Sequence, residues 1–302
     1  MKIYIKRHKL HAGKWIYGGY ARAWEQLGYD VEFFDSLSQI SDNDYTIMIP
    51  DSAVEEVHID VIQKSKRAYI YVQPNSFPEP WGRHPNFWCN CSDLLIKKIN
   101  EMENAVLWSW VDLDNGVREN HYFNWKEIQT IPLAFDSISY KKIKNKDYEY
   151  DVCFVGGWAD NGFNEKKKIM IEHFKYLMRS GIKCGIFINK NISHEEENLI
   201  LYNSKIAINV HDAYQRILGN DTNERTFKSL GLTGALVSDN IRQISNIFPE
   251  LPLYDTPDEM MGLIDTHLSN DTKLKQVKDH YRNEIEKNHT YINRVKQIIE
   301  LG

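Results

Sequence analysis

The segment TNERTFKSLGLTGALVSDN, residues 222–240, combines a charged triplet, a helical pattern and an apolar run that ends in Ser-Asp. Asn223 can cap the helix, which would place Glu224 and Arg225 in its first turn. A helix N-terminus attracts anions, and a forked guanidinium there can hold two phosphate oxygens at once. The pattern predicts a diphosphate site, although an Asn cap with a Glu-Arg surface pair is the commoner meaning of such a triplet alone.

Two further patterns in the same half of the chain follow predicted strands. Gly156, Gly157 and Trp158 come directly after the apolar run YDVCFV, and glycines at such a point let a backbone approach phosphates closely. His211 ends the run INVH, where a side chain can reach a ligand at the same sheet edge. A His at a strand end is also often structural.

The elements that must position these residues form two α/β halves of similar size. KIYIK, DVEFFD and YTIMIP are predicted strands around a glycine-led helix, and the pattern restarts at Tyr150 with strands separated by helices. This alternation predicts two Rossmann-like domains that face a central cleft. The expected limits are an N-terminal domain over 1–135, a connector over 136–150, a C-terminal domain over 151–285 and a closing helix over 286–302 that packs back toward the first domain.

Composition limits the class of protein. A chain of 302 residues with 42% hydrophobic and 12% aromatic content can bury two cores. No run approaches the roughly 18 apolar residues of a membrane span, and the N-terminus lacks the apolar segment of a signal peptide, so we expect a cytoplasmic protein. The four scattered cysteines favour reduced structural thiols over a zinc site.

The order Asn-Glu-Arg, helix, glycine turn and strand ending in Ser-Asp, followed by Leu253-Tyr254 and DTPDE, resembles the nucleotide-binding domain of GT-B glycosyltransferases. The CgeB-like group is the most similar. The resemblance covers about residue 151 to the end and reaches the first half in architecture only, where the chain is also similar to phage DNA glucosyltransferases. It implies the GT-B fold and transfer of a hexosyl or pentosyl group from a nucleoside-diphosphate sugar, with a UDP-sugar expected and no metal or other cofactor.

The resemblance also implies roles for single residues. Arg225 would hold the donor diphosphate, and the turn Gly156-Gly157-Trp158 would approach the phosphates or the transferred sugar. From their positions in the chain, Asn223 is expected at the diphosphate and His211 at the donor sugar or phosphate. Many GT-B enzymes carry a Glu three residues after this Arg, where it accepts both ribose hydroxyls. This chain has Lys228 there, so either Glu224 takes over the ribose or Lys228 lies elsewhere, against a phosphate or in solvent.

The first half is expected to bind the acceptor. Basic residues crowd the chain ahead of its first acidic residue, Glu25, and they include the loop at the carboxyl end of the first predicted strand. A solvated basic edge is the plain alternative. The predicted acceptor residues are Lys9, His11, Lys14, Gly18 and Gly19.

A catalytic base is needed only if the transfer inverts the sugar configuration. Asp51 and His84 are the candidates that could take a proton from the acceptor hydroxyl. Asp51 follows a predicted strand, but a capping role explains it equally well. In a retaining mechanism the departing phosphate itself can assist the acceptor.

The basic run favours an anionic acceptor, and the net charge of -5 favours a cell-envelope glycan over DNA with a hydroxymethylated base. In the comparison with phage enzymes, Asn75 falls where their catalytic Asp lies. Asp112-Leu113-Asp114 resembles the metal clamp of another glycosyltransferase fold. A non-catalytic nucleotide- or sugar-binding protein also stays open, whereas the spacing G-x-G-x-x-G of a dinucleotide-dependent oxidoreductase is missing.

Overall fold

The structure, a computed structural model, describes residues 1–8, 11–82, 91–158 and 165–302, with His11 described for its backbone alone. The chain forms two compact units, residues 1–133 with 291–302 and residues 134–290. Each unit contains a parallel sheet with helices, which confirms the α/β class predicted from the sequence. The domain limits at residues 135, 150 and 285 stay a prediction.

The first unit contains a six-stranded parallel sheet within the described residues. Its strands and helices are β1 (Lys2–Lys6), α1 (His11–Gln26), β2 (Asp30–Phe34), β3 (Tyr45–Pro50), α2 (Ile59–Lys64), β4 (Arg67–Tyr71), α3 (Asp93–Asn100), β5 (Ala105–Ser109), α4 (Val117–His121) and β6 (Gln129–Thr130). The strand order is β2-β1-β3-β4-β5-β6. All six residues of β3 are buried, as expected for a central parallel strand covered on both faces.

The sequence predicts a longer last strand, EIQTIPL, than the two residues of β6. The backbone N–H of Ile131 still donates to the carbonyl of Ser109 at 2.8 Å, but the next residue is Pro132. Proline has no N–H to donate, and at this position the missing group faces away from β5, which fits the place of β6 at the edge of the sheet.

The second unit contains a five-stranded parallel sheet within the described residues. Its elements are β7 (Val152–Gly156), α5 (Lys166–Leu177), β8 (Cys184–Ile188), α6 (His194–Asn203), β9 (Ile206–Asn209), α7 (Ala213–Leu218), α8 (Glu224–Leu232), β10 (Leu236–Asp239), α9 (Arg242–Ile247), β11 (Leu253–Tyr254), α10 (Pro257–Leu268) and α11 (Asp271–Asn288). The strand order is β11-β10-β9-β7-β8. The chain leaves β7 for β8 on one side and then returns to β9 on the other. Ligands of open parallel sheets bind at such a reversal.

The last helix, α12 (Tyr291–Glu300), belongs to the first unit. A Cβ atom on Gly19 of α1 would lie 3.2 Å from Cγ of Tyr291 and closer still to two other ring carbons, so the glycine lets the ring pack against α1. Arg294 donates from Nε to the carbonyl of Pro132 at 2.8 Å. Within the described ranges, no helix combines the length and apolar character needed to cross a bilayer.

Residues 136–148, expected from the sequence as part of a polar connector, pack on α6 of the second unit. The backbone N–H of Lys141 donates to Asn198 at 3.0 Å, and that of Asn145 donates to Asn203 at 2.9 Å. Two side-chain amides of α6 therefore hold this segment in place.

Gly234 links α8 to β10 and should be intolerant of any side chain. Its φ is +81°, and an added Cβ would lie 2.6 Å from the carbonyl oxygen of Lys278 in α11. Gly234→Ala should lower the free energy of unfolding by about 2–4 kcal/mol, since strain and a backbone clash add together. Urea unfolding followed by circular dichroism would measure this loss.

Gly262→Ala is the matched control, because a Cβ at this exposed position in α10 would meet nothing within 4 Å. It should leave stability unchanged or raise it by about 0.5–1 kcal/mol. Equal stability of both variants would contradict the tight approach of α11 to Gly234.

Candidate functional site

Arg225 lies in the first turn of α8, and its guanidinium is held at the carboxyl edge of the second sheet. Nε donates to the carbonyl of Val155 in β7 at 3.0 Å, and Nη1 donates to Oδ1 of Asn209 in β9 at 3.0 Å. The guanidinium carbon also lies 4.7 Å from the ring centroid of Phe154. A guanidinium has five N–H donors, so these two bonds fix it while leaving donors for an anion. It lies between β7 and β9, where the sheet order reverses.

The turn after β7 fits around this guanidinium. A Cβ on Gly156 would lie 2.9 Å from the guanidinium carbon of Arg225 and closer to Nη2, so glycine is required there by the arginine itself. A Cβ on Gly157 would overlap Oδ1 of Asn189, which accepts a hydrogen bond from the backbone N–H of Trp158 at 3.0 Å. The two glycines that were predicted to approach phosphates closely thus leave space for two protein side chains, those of Arg225 and Asn189.

Asn223 stands at the N-cap position of α8, as predicted, but its side chain does not cap the helix. Instead it pairs with Asn209, accepting from Nδ2 at 3.1 Å and donating to Oδ1 at 3.1 Å. Asn223 was correctly placed at the N-cap, but the prediction that its side chain caps the helix was wrong. The pairing orients the amide of Asn209, whose oxygen holds Arg225.

His211 is fully buried rather than open to a ligand. Its Nδ1 lies 2.6 Å from Oδ1 of Asp239, and its Nε2 lies 2.9 Å from the hydroxyl of Thr222. Burial lowers the pKa of His211 despite the neighbouring carboxylate. Burial alone would raise the pKa of Asp239, but the charge and hydrogen bonds of His211 outweigh it and bring that pKa to about 2.

A neutral His211 therefore donates from Nδ1 to an ionised Asp239 and accepts from Thr222. Both ring nitrogens have partners within the protein, and their bonds tie Asp239 to Thr222 in the segment that leads into α8. The contact of His211 with a donor sugar stays a prediction.

Lys166 supplies a second cation to this end of the sheet. Its ammonium lies 3.1 Å from Oδ1 of Asp212 and donates to the carbonyl of Val210 just after β9. Burial lowers the pKa of Lys166, although the charge of Asp212 opposes that shift.

Lys228 forms an ion pair with Glu197 of α6, with 2.6 Å between Nζ and Oε1. Its side chain is only 12% exposed and so does not point into solvent, whereas the predicted contact with a phosphate stays a prediction. Glu224, the other candidate for the ribose, has its pKa raised to about 7 by burial, and the charge of Glu197 adds to this while that of Lys228 opposes it. No local pattern pointed to Glu197, which lies 31 residues before its partner Lys228.

In the first unit, Asp51 follows β3 and is 2% exposed. Its carboxylate accepts a hydrogen bond from the backbone N–H of Ser52 at 2.8 Å. Burial raises the pKa of Asp51 to about 8, and hydrogen bonds from the backbone of Gln73 and Ser52 only partly oppose this. A carboxyl group that titrates near neutral pH suits a general base.

The other predicted acceptor residues are placed only in part. Lys9 and His84 lie outside the described residues, as does the side chain of His11. Lys14 is exposed, with its ammonium 5.8 Å from the ring centroid of Trp15. A Cβ on Gly18 would lie 3.3 Å from Nη2 of Arg22 in the next turn of α1. At Gly19, the ring of Tyr291 fills the space that a side chain would need.

The basic run is not a bare positive patch. Lys2 pairs with Glu32 at 2.9 Å and with Asp42 at 3.2 Å, and Arg7 pairs with Asp35 at 3.0 Å. These acidic partners follow the basic residues by 28 to 40 positions in the chain, so counting charges along the N-terminus overestimated the local positive charge.

Among the described residues, no group of three or more His, Cys, Asp and Glu side chains could hold a metal ion. Asp112 and Asp114, the possible metal clamp, stand in a turn after β5, where Oδ2 of Asp114 accepts from Asn115 at 2.9 Å. That the protein works without a metal ion stays a prediction.

Comparison with known proteins identifies one sequence family and several similar structures. The sequence model described as glycosyl transferase-like matches residues 140–300. An alpha-glucosyltransferase solved with UDP and a 13-mer DNA containing an HMU base aligns with a TM-score of 0.63 and 12% identity, covering 100% of this chain and 99% of that one. T4 phage BGT, solved with UDP and Mn²⁺, aligns with a TM-score of 0.58 and 12% identity, covering 99% and 98%.

TarM aligns with a TM-score of 0.55 and 9% identity, covering 88% of this chain and 56% of that one, so the chain spans little more than half the length of TarM. No curated protein matches the sequence. At these identities the structural matches establish the fold, and they confirm the predicted GT-B architecture.

The raised pKa of Asp51 predicts a specific dependence of stability on pH. Between about pH 4, the ordinary pKa of Asp, and about pH 8 the folded protein keeps a proton that the unfolded chain has lost. Stability should therefore fall as pH rises through this window. Asp51→Asn removes the titration, so the stability of the variant relative to wild type should rise by a few kcal/mol, roughly, from pH 5 to pH 8.

Urea unfolding at both pH values would measure this difference. Asp147→Asn, in the second unit and exposed, is the control and should show no such change. Parallel pH profiles for wild type and Asp51→Asn would show that Asp51 is ionised throughout the window.

Proposed function

The chain belongs to the glycosyl transferase-like family and is a GT-B glycosyltransferase, and we propose that it takes its sugar from a nucleoside-diphosphate sugar bound on the second unit. The observation that carries this proposal is the guanidinium of Arg225, which is fixed between β7 and β9 at the N-terminus of α8. Two structurally similar glucosyltransferases were solved with UDP, which supports a UDP-sugar as the donor.

Breaking the bond between sugar and diphosphate leaves a diphosphate that carries the electron pair and its negative charge. Arg225 and the backbone N–H groups at the start of α8 would stabilise that charge, with Lys166 as a second cation. We propose that these groups replace a metal ion. The pairing of Asn223 with Asn209 and the buried pair His211–Asp239 keep the arginine and the helix start in position.

Asp51 is the proposed base if the reaction inverts the sugar configuration. Its carboxylate would take the proton from the acceptor hydroxyl while the oxygen forms its bond to the sugar carbon. With a pKa of about 8, most of the Asp51 carboxyl group is protonated at pH 7, so activity through this base should rise toward alkaline pH.

The proposed acceptor is a hydroxyl of an anionic cell-envelope glycan, because the basic N-terminal run favours an anion whereas the net charge of -5 disfavours the densely charged DNA. DNA with a hydroxymethylated base is the second candidate. It is favoured by the end-to-end alignment with an alpha-glucosyltransferase that was solved with DNA containing an HMU base.

Arg225→Ala should weaken the binding of UDP by about 10- to 100-fold, because the lost hydrogen bonds are charge-assisted. Uridine lacks the diphosphate, so its affinity should change by less than about threefold. Isothermal titration calorimetry would measure both. Arg179→Ala removes an exposed arginine just after α5 and is the matched control. Equal losses for UDP and uridine would remove the diphosphate role, and loss of UDP binding in EDTA, restored by Mn²⁺, would show that a metal is required.

The acceptor can be tested by the release of UDP from UDP-glucose. A phosphorylated glycan should stimulate release, and replacing Lys9 and Lys14 together with Ala should raise its KM and flatten its salt dependence. Lys64→Ala with Lys97→Ala, both exposed in the first unit, is the matched control pair. Stimulation by DNA with hydroxymethylated bases alone would select the second candidate. An unchanged KM would mean that Lys9 and Lys14 only form a solvated edge.

A further inference from the structure

A group of charged side chains lies one helical turn beyond Arg225, and the charge of its carboxylate, Glu197, favours the charged form of the guanidinium. Lys228 follows Arg225 by three positions on α8, so the two residues are neighbours on the helix surface. Lys228 in turn pairs with Glu197 at 2.6 Å, and their side chains are only 12% and 15% exposed. A ligand whose diphosphate meets Arg225 would therefore bring its next chemical group close to Glu197.

Two donors fix the carboxylate of Glu197. Oε1 accepts from the ammonium of Lys228, and Oε2 accepts from the hydroxyl of Tyr140 at 3.1 Å. The residue also lies in the first turn of α6, where the helix dipole favours a negative charge. Although burial raises the pKa of Glu197, the charge and hydrogen bond of Lys228 outweigh it and lower that pKa, so the group is ionised at neutral pH.

A carboxylate held in this way has acceptor capacity left over. Its two oxygens offer about four lone-pair sites, and one bond on each oxygen leaves a second site on each. Two acceptors on one planar group match a ligand that presents two adjacent O–H donors. In a nucleoside diphosphate, the group directly attached to the diphosphate on the nucleoside side is a ribose with two adjacent hydroxyls.

Glu197 suits this ligand better than Glu224 does. The carboxyl group of Glu224 has a pKa of about 7, so it is partly protonated at neutral pH and is a weaker acceptor. The transferred sugar is a poorer match than the ribose, because it must leave toward an acceptor whereas Glu197 is nearly enclosed.

We infer that Glu197, positioned by Lys228 and Tyr140, is the carboxylate that accepts the two ribose hydroxyls of the donor nucleotide. This assignment rests on the proposed function, since it requires a nucleoside diphosphate at Arg225. Lys228 is then a positioning residue that acts through Glu197, and the ribose contact comes from α6 rather than from α8.

Titration calorimetry with UDP, 2′,3′-dideoxy-UDP and inorganic pyrophosphate tests the assignment. Wild type should prefer UDP over the dideoxy ligand by about 10- to 100-fold, the range for hydrogen bonds to a charged group. In Glu197→Gln this preference should shrink to about threefold or less, with the affinity for pyrophosphate unchanged. Glu195→Gln, an exposed neighbour in the same turn of α6, should behave like wild type. Tyr140→Phe should reduce the preference in part and serves if Glu197→Gln does not fold.

Three results would overturn the assignment: a full preference for UDP in Glu197→Gln, loss of the preference in Glu224→Gln alone, or a weaker affinity of Glu197→Gln for UDP-glucose but not for UDP. The proposed function fails separately. In that case wild type would bind neither UDP nor pyrophosphate, or Arg225→Ala would bind both as wild type does.

Discussion

The bond from Arg225 to the carbonyl of Val155 ties α8 to the edge of β7, and much of the second unit is arranged around it. Gly156 has no side chain because the guanidinium occupies that space. Asn209 turns its amide oxygen to the same guanidinium because Asn223 fixes the amide from the other side. A half-buried cation at this place is tolerated because carbonyl and amide oxygens receive its N–H groups.

The buried charges around this arginine are arranged in pairs. Asp239 is ionised because His211 and Arg216 lie against it, and Lys166 is matched by Asp212. Removing one member of such a pair leaves the other uncompensated, which costs more than the pair itself contributes. The charged side chains of the site therefore form one connected network, in which each keeps its neighbours in place.

Much of this arrangement could be predicted from the sequence where local patterns decide the structure. The helix after Asn223, the strand ending at Asp239 and the place of Arg225 in the first turn all follow from spacing and propensity. The two α/β halves follow from alternating strand and helix patterns, and the confirmed GT-B architecture was implied by the family resemblance.

The remaining features depend on partners far apart in the chain, which one sequence does not reveal. The pairing of Lys228 with Glu197 spans 31 residues, and the bond from Arg225 to Val155 spans 70. His211 was expected at a ligand because a strand end can face solvent, but Asp239 and Thr222 enclose it. The basic N-terminal run was expected to be open because Asp35 and Asp42 are remote in sequence.

The chain passes from the first unit into the second near Leu133 and returns near Tyr291, so the second unit is an insertion in the first. On a ribosome, residues 134–290 can complete their own sheet as soon as they emerge, because all of their strands are local to that stretch. The first unit cannot be completed before residues 291–302 emerge, since Tyr291 packs against α1 beside Gly19. During synthesis, the second unit, which carries Arg225, can therefore complete its fold before the first unit does. A chain that stops before residue 291 would lack the ring that packs on α1 beside Gly19.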